Sequence, residues 1–134
     1  MILDAEEAIL GRLATKISKI LLKGENVIVI NSEKTVISGN PSAIFSTYYE
    51  KRELGDANKG PFYPRYPDRI FKRVVRGMLP YRKSKGRKAL RRLKVFIGNP
   101  DNLKGEKISK TSDDLRCKYV YLREVCKRLG AKLG

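Results

Sequence analysis

From Arg69 to Pro100 the chain runs for thirty-two residues without an acidic side chain, yet it carries twelve basic ones. Such a stretch cannot neutralise itself by internal ion pairing, so whatever it folds into must hold its cations at the surface. Its apolar residues nevertheless keep a helical period. Ile70, Phe71, Val74, Val75 and Met78 fall on one side of a helix, while Arg69, Lys72, Arg73 and Arg76 (spaced i, i+3, i+4, i+7) share the other. The pattern predicts an amphipathic helix over 69–79, with Asp68 as its N-cap and Pro80 as its terminator. Residues 81–86 then read as a basic loop, Arg87–Leu93 as a short helix and Lys94–Ile97 as a strand.

The charge is unevenly placed. Residues 1–50 carry net −1, residues 51–94 carry +13 and residues 95–134 carry +4, within a total of +16. A solvated surface ordinarily mixes both signs, so this asymmetry predicts a polyanionic partner. Two further constellations lie in the same third. Tyr81, Arg82, Lys83, Lys85, Arg87, Lys88, Arg91, Arg92 and Lys94 surround Leu90 and Leu93. There arginine offers a planar fork for phosphate and lysine a mobile point charge. Gly86 lets a backbone approach closely. Residues 51–67 form a basic segment with Lys51, Arg52, Lys59 and Arg65 among Phe62, Tyr63 and Tyr66, its end held extended by Pro61, Pro64 and Pro67. Aromatic rings interleaved with cations suit RNA, where unpaired bases stack on rings. Any single ring serves equally well to pin the loop to a core.

Length and composition exclude several classes. The 134 residues form one expected domain, 1–134, long enough for a core without metal or disulfide staples. Two cysteines, Cys117 and Cys126, are too few for a disulfide framework or a closed zinc site. They read as buried or half-buried thiols. There is no histidine, which removes the commonest general base and metal ligand. The longest apolar run, Val27–Ile30, is far too short to cross a membrane. Acidic residues near the N-terminus argue against a secretion signal, so the expectation is a cytoplasmic chain. Gly11-Arg12 matches neither GxGxxG nor a P-loop, and Glu6 and Glu7 read as a solvated turn. No catalytic set, cofactor or metal is expected.

Four short strands can be read: Met1–Asp4, Asn26–Ile30, Thr35–Ser38 and Lys94–Ile97. Helices are expected from Leu10 to a stop at Gly24, from Asn40-Pro41 to about Arg52, and over Leu122–Leu129. Leu115–Tyr121 fits strand or helix. The order predicts an α/β fold around a small, mostly parallel four-stranded sheet.

Two segments, LGRLATKISKILLKGENVIVINSEKTVISGN (Leu10–Asn40) and RVVRGMLPYRKSKGRKALRRLKVFIGNP (Arg73–Pro100), resemble the universal ribosomal protein L13 family of the large subunit. The length and the ending LREVCKRLGAKLG look like its archaeal branch. The resemblance implies a three-layer α/β/α arrangement and a structural, non-enzymatic role on the ribosome. It implies binding to large-subunit rRNA through Arg73, Arg76, Arg82, Lys83, Lys85, Arg87, Lys88 and Arg91, and through Lys59 and Arg65. The helix-face argument adds Arg69 and Lys72, and the basic run adds Arg92. Neighbouring large-subunit proteins are implied as partners, with no membrane and no small-molecule substrate. The chain departs from bacterial members, which carry histidines where it has Asn99-Pro100-Asp101-Asn102. Two rival expectations remain. A nucleotide-binding α/β enzyme would need a phosphate cradle after Ile30, near Asn31. A regulatory RNA- or DNA-binding module would act off the ribosome.

Overall fold

The structure, a computed structural model, describes residues 1–53, 64–108, 111 and 117–131. Strand β1 (Ile2–Asp4) leads into helix α1 (Leu10–Leu22), β2 (Val27–Ile30), a 3-10 turn (Ser32–Lys34) and β3 (Val36–Ser38). Then come α2 (Pro41–Glu53), α3 (Pro67–Met78), α4 (Ser84–Arg91), β4 (Leu93–Val95), β5 (Tyr119–Tyr121) and α5 (Leu122–Arg128). The α/β character is as expected.

The strand count is not. The parallel sheet has three strands in the order β1-β2-β4, and Thr35–Ser38 does not join it. That segment, as β3, pairs antiparallel with β5, Val36 opposite Tyr121 and Ser38 opposite Tyr119. The pairing settles the ambiguous end of 115–121 as strand, and it joins residues more than eighty positions apart, which no local pattern encodes. A fourth place beside β1 is taken by a single residue: Asp4 N–H donates to the Glu106 carbonyl and Glu106 N–H to the Ile2 carbonyl, both at 3.0 Å. Gly105 permits this approach, since a Cβ there would lie 2.7 Å from the Asp4 nitrogen.

Register sorts the side chains by face. Leu3, Val27, Val29, Leu93 and Val95 share one face, and α1, α3 and α4 pack over it with Leu13, Ile17, Leu21, Phe71, Val75 and Ala89. The opposite face carries Ile2, Asp4, Ile28 and Lys94, half-buried or exposed, beside the buried Ile30. A second core joins α2, α3 and α5 through Ile44, Tyr48, Ile70, Leu122, Val125, Cys126 and Leu129. Helix α3 thus belongs to both cores. Asn40 caps α2 as expected, its Oδ1 accepting the Ser42 N–H at 3.0 Å. Helix α5 has no side-chain cap; the Thr35 carbonyl accepts the Leu122 N–H at 2.8 Å instead. Cys126 is buried, but Cys117 is exposed, contrary to expectation.

Tyr121 ties the ribbon to the turn before α1. Its hydroxyl donates to Glu7 Oε1 at 2.6 Å. Glu7 sits in the left-handed region with φ 63°, a conformation costly for a non-glycine residue and stabilised here by surrounding bonds. The Glu7 carboxylate, then burial, push the Tyr121 hydroxyl up to about 12. The folded state therefore holds this proton more tightly than the unfolded chain. The resulting stability is complete below pH about 10 and disappears as pH rises towards 12. Tyr121→Phe should cost about 1–2 kcal/mol at neutral pH, the value of a half-buried hydrogen bond to a charged acceptor. The difference from wild type should close by pH 12. Urea melts across that range measure it, and a full difference surviving at pH 12 contradicts this role. Cys126, whose thiol burial raises to about 12 with Asp68 adding to the effect, titrates in both proteins and so cancels in the comparison.

Candidate nucleic-acid interface

Helix α3 begins earlier than the sequence suggests. Pro67 occupies its first position, where the missing N–H costs nothing, and Tyr66 is the extended residue before it. Asp68 is accordingly inside the first turn and not the cap, where its charge favours the helix dipole. Ile70, Phe71 and Val75 are buried and Val74 is half-buried, as the periodicity requires. Met78 departs from that face: it is 41% exposed, and Leu79 is buried in its stead.

The cations of α3 lie on the remaining side. Arg69 and Lys72 are exposed, Arg73 and Arg76 half-buried. Like charges at i+3 and i+4 cost about 0.2–0.5 kcal/mol per pair, so the four such pairs here cost roughly 1–2 kcal/mol. Burying Ile70, Phe71 and Val75 contributes about 1.5–3 kcal/mol each. Burial wins, so the helix forms despite the repulsion among its cations.

The segment after it is more ordered than a basic loop. Tyr81 N–H donates to the Leu79 carbonyl at 2.8 Å and Lys83 N–H to the Pro80 carbonyl at 2.9 Å, a tight turn into α4. The helix covers Ser84–Arg91: it takes in the second half of the expected loop over 81–86, and it starts three residues before and ends two residues before the expected helix Arg87–Leu93. The reason is Gly86. It is buried against the preceding turn, and a Cβ on it would sit 2.0 Å from the Pro80 carbonyl oxygen. The close backbone approach read from the sequence is therefore made to the protein's own chain. Arg82, Lys83, Lys85, Arg87, Lys88 and Arg91 are all exposed around it. Arg87 Nη1 donates to the Arg82 carbonyl at 3.0 Å, which braces the turn.

Arg92 has work inside the fold. It is half-buried, and its Nη2 donates to the Leu21 carbonyl at 2.8 Å, where the dipole of α1 is negative. Arg65 is exposed with its guanidinium 5.5 Å from the Tyr66 ring centre, and Tyr66 packs against the second core. Lys59, together with the rest of 54–63, lies outside the described residues.

Packing adds cations that averaging by thirds hides. Helix α1 contains Arg12, Lys16 and Lys19 and no acidic residue, and it packs directly against α3 and α4. Arg12 and Lys19 are exposed; Lys16 reaches the Ile108 carbonyl. The acidic residues that cancel them in sequence lie elsewhere, in β1, the turns and α2. Reading charge element by element would have exposed this.

Among the described residues, the position near Asn31 where the rival enzyme reading needs a phosphate cradle is occupied by the protein's own bonds. Asn31 Nδ2 donates to Asp4 Oδ1 at 3.0 Å, and the buried Glu33 accepts the Gly98 N–H at 2.7 Å. Two carboxylates at the ends of the parallel strands repel a phosphate. Among the described residues no group of three or more His, Cys, Asp or Glu side chains is placed to hold a metal ion.

Comparison with known proteins finds relatives over nearly the whole chain. The family described as Ribosomal protein L13 matches residues 1–102. A large ribosomal subunit protein uL13 of Archaeoglobus fulgidus is 50% identical over 96% of this chain and 86% of its own length. The protein of that name from Methanocaldococcus jannaschii is 49% identical over 98% of each chain. That of Halobacterium salinarum is 42% identical over 99% of this chain and 92% of its own.

Proposed function

Since this chain belongs to the ribosomal protein L13 family, we propose that it is a structural, non-enzymatic constituent of the large ribosomal subunit that binds rRNA. Its location is then the ribosome, in the cytoplasm, with rRNA and neighbouring subunit proteins as its partners. The observation that carries this reading is the basic surface formed by the stretch from Arg69 through α4, whose sequence holds no acidic residue. Eight exposed cations stand there on two packed helices and the turn that joins them: Arg69, Lys72, Arg82, Lys83, Lys85, Arg87, Lys88 and Arg91. They neutralise backbone phosphates where RNA helices approach one another, while the two cores hold the platform rigid. Arg73, Arg76 and Arg65 extend this surface; Lys59 belongs to the same proposal on its sequence position, and Arg92 on its place at the end of α4.

Co-sedimentation with large subunits in high-magnesium buffer tests the assignment; recovery only in the free pool rejects it. The face is tested by Lys83→Glu with Lys85→Glu. Both positions lie at the start of α4, where acidic residues favour the helix dipole, so folding should not suffer. Each phosphate contact is worth about fivefold at roughly 0.15 M salt, so the double reversal should weaken rRNA binding on the order of thirtyfold or more. Unchanged affinity with an unchanged melting temperature would place the RNA on another surface.

A further inference from the structure

We propose that Arg76 and Tyr81 form a stacking platform for an unpaired RNA base, so that this surface distinguishes looped or bulged RNA from continuous duplex. The inference rests on the rRNA-binding reading above and deepens it. Tyr81 is 39% exposed, in the middle of the acid-free stretch. The Arg76 guanidinium lies over its ring, 5.0 Å from the centroid. Arg76 is half-buried on α3, so the cation is anchored from the helix side. The backbone that carries the ring is held as well: the backbone bonds of Tyr81 and Lys83 close its turn, and Gly86 packs against Pro80 and the Tyr81 nitrogen.

The other described tyrosines have different roles or places. Tyr48 is 8% exposed, Tyr66 packs on the second core, and Tyr121 is held by Glu7 with Tyr119 edge-on to it at 6.0 Å. Tyr49 is exposed but lies on α2, outside the basic stretch. Tyr81 therefore combines an accessible aromatic surface, a cation already seated on the ring and adjacent exposed charges, Arg82 and Lys83, for the flanking phosphates. A base stacked there completes an arginine–ring–base sandwich, in which the guanidinium and the π-system attract electrostatically. Paired A-form RNA keeps its base faces inside the helix and has nothing to offer such a ring.

The test compares two probes with the full chain: transcribed large-subunit rRNA and a continuous RNA duplex without loops. Tyr81→Leu should weaken rRNA binding about tenfold, the usual value of one stacked base, and leave duplex binding and the salt slope unchanged. Tyr81→Trp, which keeps a stacking surface, should retain wild-type affinity for rRNA. Equal loss on both probes, or no loss on rRNA with a native melting temperature, overturns the platform while leaving rRNA binding intact. Failure of the wild-type chain to bind either probe removes both readings together.

Discussion

Raising the salt from about 50 to about 200 mM will weaken binding of this protein to large-subunit rRNA by about 10⁴-fold. The magnitude follows from the number of cations available. Eight exposed side chains between Arg69 and Arg91 can each displace a condensed counterion from a phosphate. Each contributes about 0.9 to the slope of log affinity against log salt, and a fourfold rise in salt multiplies through all eight. Only Arg69 and Lys72 have an acidic residue nearby in sequence, Asp68 in the first turn of α3; the six from Arg82 to Arg91 have none, so little internal pairing competes with phosphate. Filter binding at several salt concentrations gives the slope directly. A nearly flat response would mean that the basic helices do not face the RNA backbone, whatever the affinity.

Gly86→Ala is expected to destabilise the fold by about 3 kcal/mol, the upper end of the usual cost of overpacking. The added Cβ would come within 2.0 Å of the Pro80 oxygen, 2.2 Å of its carbonyl carbon and 2.7 Å of the Tyr81 nitrogen. All three are backbone atoms, so no side chain can swing away to make room. Either α4 lifts from the turn or the turn itself moves, and Leu79 and Ala89, both buried, move with it. Chemical denaturation measures the loss. Because the same turn carries Tyr81, Gly86→Ala should also weaken rRNA binding, in proportion to the displacement of that ring. A variant with native stability would show that the approach of α4 to Pro80 is looser than described.

Much of the fold was legible because it is local. The i, i+3, i+4 spacing around Phe71 places one face of α3 in the core and the other outside, and Asn40-Pro41 marks the start of α2. What was misread has a specific cause each time. Asp68 looks like a cap, but Pro67 starts the helix two residues sooner than expected. Met78 fits the apolar stripe, yet the chain turns at Leu79 and leaves it outside. Residues 84–86 read as the end of a basic loop because glycine disfavours helix in isolation; burial of Gly86 against Pro80 outweighs that propensity. Arg92 has, besides its place in the basic run, a contact the sequence does not show: it lies against the carbonyl end of α1, a partner seventy-one positions away.

The amino-acid order alone determined which segments are amphipathic and where the positive charge resides, because both are properties of near neighbours on one helix. It also carried the family, through runs that are long and specific. Only the tertiary structure decided that Thr35–Ser38 leaves the parallel sheet for β5, that α1 brings its own cations beside α3 and α4, and that Arg76 meets Tyr81. These depend on distant backbones finding one another. Their free energy comes from shared burial and from hydrogen bonds across the fold, which no window along the chain contains.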